Sequence, residues 1–178
     1  MGAVATEVLK PADVGDAWRT PPVVLERVRE FAELAGYHVD VGSCYGVALD
    51  PCSGPGSIVS ARTEIALPAD GLAADWYGIA GDGLVFVNPP YSKPGKWVAK
   101  CEEVGRQTDV IALVTAAPDT AWWRWADAVC FWRGRIKFIG PDGIARFPAR
   151  TPSAVLYWGD VPELFEHAFR TVGKVVRP

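Results

Sequence analysis

Leu84-Val-Phe-Val-Asn-Pro-Pro-Tyr91 sets the reading of the chain. Its first four residues are apolar without a polar position between them. A strand reads that way when both of its faces are covered, as in the sheet of an α/β protein. The run stops at once, because Pro89 and Pro90 fix the backbone and offer no N–H to a sheet ladder. Similar short runs recur at Tyr45 to Leu49, Ile58 to Ile65, Asp109 to Val114, Ala128 to Trp132, Arg135 to Ile139 and Ala154 to Trp158. Helical patterns fall between them: Thr20 to Ala35, Lys93 to Arg106, Asp119 to Ala128 and Pro162 to Phe169. In the first of these Thr20 reads as the N-cap, Pro21 opens the first turn and Gly36 is the stop.

Strands alternating with helices predict an open, mostly parallel sheet with helices on both faces. In such sheets ligands bind outside the carboxyl ends of the strands. Two loops in that position stand out, Asn88–Tyr91 and Asp50-Pro-Cys-Ser-Gly-Pro-Gly56.

The bulk properties fit one soluble domain over the 178 residues, with residues 1–16 expected as a flexible arm. No apolar run is long enough for a membrane span, and the start lacks the form of a secretory signal. Four cysteines without a CxxC pair, and two histidines, predict neither a disulfide framework nor a metal site, and a reduced, cytoplasmic setting. A net charge of −3 argues against indiscriminate binding to nucleic acid. The charge is uneven, however. Residues 133–153 carry Arg133, Arg135, Lys137, Arg146 and Arg150 against the single acid Asp142. That balance suits an edge that contacts phosphates, although a solvated loop reads the same way on charge alone. Trp122, Trp123 and Trp125 cannot all face one side of a helix, so at least one is expected to be exposed or at a site.

Asn88–Tyr91 carries the chemistry. The prolines hold the Pro89 carbonyl rigid, and Asn88 adds a side-chain carbonyl beside it. Two acceptors match the two N–H bonds of one primary amine, Pro90 keeps the turn fixed, and Tyr91 offers a flat face for stacking. An exocyclic amine on a base is a weak nucleophile because its lone pair is delocalised. Gripping both hydrogens turns that lone pair toward an electrophile and stabilises the developing positive charge. A sulfonium methyl needs no strong base, which agrees with the lack of a Ser/His/Asp or paired-carboxylate pattern.

Three further stretches fit a nucleoside cofactor. Asp50, with the turn through Pro51 and Cys52, places an acid and a close backbone at a strand end. Thr20-Pro21 opens a helix whose N-terminus suits a carboxylate. Asp70-Gly-Leu72 offers an acceptor for an adenine amino group or a ribose. Each is also an ordinary turn or cap when taken alone.

Taken together, these stretches resemble the phage-type Dam family of DNA N6-adenine methyltransferases. The matching pieces are Trp18-Arg-Thr-Pro21, Leu49-Asp-Pro-Cys52, Asp70-Gly-Leu72 with Trp76, Asn88-Pro-Pro-Tyr-Ser92, Trp97 with Lys100, Asp119-Thr120 with Trp122-Trp123, Gly134-Arg-Ile-Lys-Phe138 and Pro152-Ser-Ala-Val155. They run in family order along most of the chain. The resemblance implies a class I methyltransferase fold, a seven-stranded sheet with its last strand antiparallel. It also implies S-adenosylmethionine as methyl donor, adenine in DNA as acceptor, and a phage or prophage source. Asn88 and Pro89 would then hold the amine, Tyr91 would stack on a base extruded from the duplex, and Asp50, Thr20-Pro21 and Asp70 would hold the cofactor. The chain departs from the family at Phe147-Pro-Ala-Arg-Thr-Pro-Ser153, where members carry an aromatic Pro-Phe-Pro-Ser type run. It also shows no separate target-recognition domain.

Three rivals share parts of this pattern. A cytosine-N4 methyltransferase uses the same grip, and a protein glutamine methyltransferase shares Asn-Pro-Pro-Tyr but has a longer helical N-terminal domain. A catalytically inactive nucleic-acid-binding module on the same fold is the third, and the intact Asn88–Tyr91 stretch argues against it.

Overall fold

A computed structural model describes residues 18–39, 42–117, 119, 125–140, 142–145 and 148–178. The expected N-terminal arm, Arg146 and the Trp122-Trp123 pair lie outside them. The described chain forms α1 (Pro22–Leu34), β1 (Val47–Asp50), β2 (Thr63–Glu64), α2 (Trp76–Ala80), β3 (Leu84–Val87), α3 (Pro94–Val104), β4 (Val110–Thr115), β5 (Ala128–Trp132), β6 (Ser153–Trp158), α4 (Pro162–Phe169) and β7 (Gly173–Val176). The seven strands make one sheet in the order β2-β1-β3-β4-β6-β5-β7.

Strand residues divide between two cores by alternation, as a pleated sheet requires. Leu84, Phe86, Ile111, Leu113, Val155 and Tyr157 join α1 and α4 on one face. Val85, Val87, Val110, Ala112, Leu156 and Trp158 join α2 and α3 on the other. This is why β3 reads as an unbroken apolar run: all four residues are buried, each against one of two helical layers.

The sheet is mixed rather than mostly parallel. β2, β1, β3 and β4 are parallel neighbours. β6 is antiparallel to both β4 and β5, and β7 is antiparallel to β5. The strand count agrees with expectation, but two strands, β6 and β7, run against the rest. β7 was not expected at all. It is a short edge strand whose Lys174 is exposed, so it lacks an apolar run. The stretch expected as a strand over Ile58 to Ile65 contributes only Thr63–Glu64. Arg135 to Ile139 makes isolated bridges, Lys137 to Pro148 and Ile139 to Arg19, instead of a strand. The helix expected from Asp119 falls largely outside the described residues, and its expected end, Ala128, opens β5. Trp125 is exposed, in line with the expectation for the tryptophan cluster.

The cap of α1 also differs. Pro21, not Thr20, is the N-cap, and no side chain caps the helix. Pro22 has no N–H, and the Val24 and Leu25 amides both donate to the Pro21 carbonyl, at 3.0 and 3.4 Å. Most of the N–H groups that would attract a carboxylate are therefore missing or used.

At the amino ends of the central strands a buried carboxylate ties the helical layer to the sheet. Asp109 accepts hydrogen bonds from Tyr157 Oη at 2.6 Å and Tyr37 Oη at 2.9 Å. The Val161 amide donates to Tyr157 Oη at 3.0 Å. Burial pushes the Asp109 carboxyl up, and the two tyrosine hydrogen bonds act against that shift. Tyr157→Phe strands both a carboxylate oxygen and an amide. It is expected to cost about 1–3 kcal/mol in denaturant unfolding, with cofactor affinity unchanged because the network lies at the far edge of the sheet.

Candidate active site

β1, β3, β4 and β5 run the same way, so their carboxyl ends share one edge of the sheet. That edge presents the Asp50 turn, Asn88-Pro-Pro-Tyr91, Ala116 onward and Arg133 onward. A cleft of about 190 Å³ opens there, between the first two turns and the start of α1. Thr20, Asp50, Cys52, Asn88 and Pro90 line it, together with Arg19.

Asn88 is held from two sides. Its side-chain Nδ2 donates to the Trp18 carbonyl at 3.2 Å, and its backbone carbonyl accepts from the Cys52 thiol at 3.2 Å. The Trp18 carbonyl can only accept, so it fixes which end of the carboxamide is nitrogen. Oδ1 is the end left for a ligand's N–H. The Cys52 thiol is pushed well above its ordinary range, first by burial and then by Asp50, so it stays a neutral donor.

Asp50 ends β1 and is 4% exposed. Its Oδ1 accepts from the Cys52 amide at 3.1 Å. Burial raises its carboxyl to about 7, against that hydrogen bond and with a small push from Glu64. A buried acid that lines a cleft fits a cationic ligand.

The sign of the pH effect follows. Between about pH 4 and about pH 7 Asp50 is protonated in the fold and ionised in the unfolded chain, so its contribution to stability falls as pH rises through that window. A cationic ligand prefers the ionised form. Affinity for a cationic ligand held by Asp50 is therefore expected to strengthen roughly tenfold from about pH 6 to about pH 8, and to level off above. Titration calorimetry across that range checks this, with Asp50→Asn expected to give weak, flat affinity.

The Asp70 loop meets the Asp50 turn through Gly71. A Cβ at Gly71 would overlap the Pro51 carbonyl oxygen. The loop is pinned from below: Trp76 Nε1 donates to the Gly71 carbonyl at 2.6 Å. Lys100 Nζ donates to the carbonyls of Leu72 at 2.6 Å and Ala74 at 2.5 Å, and lies 5.1 Å from the Trp76 ring centroid. Asp70 itself is exposed and accepts from the Leu72 amide at 2.9 Å. It stands beside the cleft without lining it.

Pro21, Pro51, Pro89 and Tyr91 also stand beside the cleft. Pro89 is buried and Tyr91 half-buried. The Tyr91 ring meets Phe138 edge-on, with centroids 5.8 Å apart. Its hydroxyl is buried without a hydrogen-bond partner among the described residues.

Arg133, Arg135, Lys137 and Arg150 are all exposed. The Arg135 guanidinium donates to the Arg150 carbonyl at 2.7 Å. The Arg19 and Ile139 amides each donate to the other's carbonyl, at 3.0 and 3.1 Å, which joins this basic segment to the cleft.

Over residues 7–158 the sequence matches the family model described as "DNA N-6-adenine-methyltransferase (Dam)". The chain belongs to the Dam family. It is a DNA adenine methyltransferase by that membership, and the family uses S-adenosylmethionine. Comparison with curated proteins and with solved structures gives no match. The Dam-family match spans the Asp50, Asp70 and Asn88 turns and the basic segment, and it ends at the last residue of β6.

Two residues at or near the cleft carry no role that the sequence alone assigns. Arg19 lies in the Trp18–Pro21 stretch, and its guanidinium is 2.6 Å from where a Cβ on Gly56 would sit. Gly56 has φ +70°, so a side chain there meets both strain and the guanidinium. Phe138 closes the Gly134–Phe138 stretch. Both stretches were legible as motifs, but only tertiary contacts show what these two side chains touch. Among the described residues no His, Cys, Asp or Glu side chains group as metal ligands. No helix there is long and apolar enough to cross a membrane.

Proposed function

We propose that the cleft between the Asp50 and Asn88 turns binds S-adenosylmethionine, and that Asn88 holds the N6 amine of an adenine extruded from DNA. The observation that carries this reading is the pinned carboxamide of Asn88, which turns an acceptor oxygen loose at the cleft that Asp50 lines. The cofactor supplies a methyl group already activated on a sulfonium. What remains for the chain is positioning and electrostatics.

Asp50 meets the cationic amino-acid end of the cofactor, and the turn through Pro51 and Cys52 lets the ligand approach the backbone. Thr20, 3% exposed, closes the α1 side of the cleft with Arg19, and Pro21 supports that wall. Arg19 suits the cofactor carboxylate better than the poorly furnished end of α1 does. Asp70 reaches the cofactor's adenosine from the rim.

Asn88 Oδ1 and the Pro89 carbonyl accept the two N–H bonds of the amine, Pro90 keeps that turn rigid, and Tyr91 stacks on the base. Arg133, Arg135, Lys137, Arg146 and Arg150 meet the phosphate backbone. This lowers the cost of extruding the base, which is a few kcal/mol.

The test is to incubate the full chain with methyl-labelled S-adenosylmethionine and unmethylated DNA, then digest to nucleosides. Labelled N6-methyladenine in the DNA is expected. Labelled N4-methylcytosine would move the acceptor to cytosine, and label on protein only would favour a glutamine side chain. Cofactor binding with no transfer would favour the inactive binding module.

A further inference from the structure

We propose that Phe138 is a positioning residue for the base-stacking ring, so that one basic hairpin both meets the DNA backbone and sets the angle of Tyr91. This rests on the function proposed above. The hairpin is built from residues 135–139 and 148–150: Lys137 bridges Pro148, and the Ala149 amide donates to the Ile136 carbonyl at 2.8 Å. Its side chains alternate. Arg135 and Lys137 are exposed on one side, while Ile136 and Phe138 are buried on the other. This two-residue period separates the roles: the outward pair faces solvent, with Arg135 also held on the Arg150 carbonyl, and the inward pair reaches the core.

Phe138 meets Tyr91 at 90° between ring planes, an edge-to-face contact. The Tyr91 hydroxyl has no hydrogen-bond partner among the described residues, so no polar tether sets the ring's angle. Packing sets it, and Phe138 supplies the aromatic wall. The paired hydrogen bonds between Ile139 and Arg19 fix the same hairpin to the cleft. A shift of the hairpin therefore reaches the stacking ring and the cofactor wall together.

The experiment compares four variants of the full chain, Phe138→Leu, Phe138→Met, Phe138→Tyr and Ile136→Val, in methyl transfer to unmethylated DNA. Cofactor affinity and thermal unfolding are read on each. Phe138→Leu is expected to lower kcat about tenfold with the cofactor Kd within about twofold of wild type. Phe138→Tyr keeps the ring and restores most of kcat. Phe138→Met, which fills similar space without a ring, shows the same loss as Phe138→Leu. Ile136→Val, on the same inward face, lowers the melting temperature without a loss in kcat.

Wild-type kcat in Phe138→Leu overturns the inference. So does an equal loss of cofactor affinity in that variant, or a kcat loss in Ile136→Val as large as in Phe138→Leu. If Phe138→Leu does not fold, Phe138→Met decides it: a tenfold loss of kcat with cofactor Kd unchanged upholds it, and wild-type kcat overturns it. A wild-type chain that methylates no DNA overturns the functional reading and this inference together. Methylation by wild type with unaltered Phe138→Leu overturns this inference alone.

Discussion

Asn88→Ala is expected to lower methyl transfer to DNA by about two to three orders of magnitude while cofactor affinity stays within about threefold. The size follows from what the side chain does. In the proposed reading Oδ1 meets the amine where positive charge develops, and loss of one such contact typically costs a factor of 10² to 10³. The selectivity follows from position, since Asp50 and Arg19, the residues proposed to hold the cofactor, remain in place. Asn88→Asp separates the two jobs of the carboxamide. It keeps an acceptor toward the amine, but it sets a carboxylate against the Trp18 carbonyl in place of the 3.2 Å hydrogen bond. Its expected activity lies between wild type and Asn88→Ala. Equal losses in both variants would mean that the Trp18 contact, and not the grip on the amine, is what matters.

Gly71→Ala is the second large effect. The added Cβ would overlap the Pro51 carbonyl oxygen, which belongs to the backbone and cannot swing aside, and it would lie 3.2 Å from the Trp97 ring. Either the Asp70 loop lifts or the Asp50 turn moves. The loop is held by Trp76 and by Lys100, so relief comes at the turn that lines the proposed cofactor cleft. A loss of about 1–3 kcal/mol in denaturant unfolding is expected from the overlap, and cofactor affinity falls at least tenfold. Gly95→Ala is a control, since a Cβ there meets nothing within 4 Å. Unchanged cofactor affinity in Gly71→Ala would show that the Asp70 loop and the Asp50 turn do not act as one wall.

Local sequence carried the centre of the fold and lost its rim. Leu84–Val87 and the proline stop after it were legible because burial on both faces leaves no polar position to confuse the pattern. The direction of β6 was not, because a run such as Ala154 to Trp158 reads the same whichever way its neighbour points. β7 escaped because an edge strand with an exposed lysine has neither an apolar run nor strict alternation. At the end of α1, Thr20 is a favoured cap by residue type, but two following prolines shift the cap to Pro21 and leave Thr20 buried against the cleft.

The site divides in the same way. Asn88, Asp50 and Cys52 announced themselves by standing at strand ends, and the fold brings them to one cleft. The basic residues were visible as a charge imbalance. Their attachment to the cleft through Ile139 and Phe138 was not, since it depends on a pairing with Arg19 more than a hundred residues earlier. Lys100 is the reverse case. A lysine on a helix reads as solvated, yet this one spends its donors on two loop carbonyls beneath the Asp70 turn.

The most direct test of the account is a crystal structure with S-adenosylhomocysteine bound. The account predicts the amino-acid end of the ligand against Asp50 and Arg19, with its sulfur directed toward Asn88 Oδ1. Ligand density at the opposite edge of the sheet, in the groove beside Tyr37 and Asp82, would contradict it.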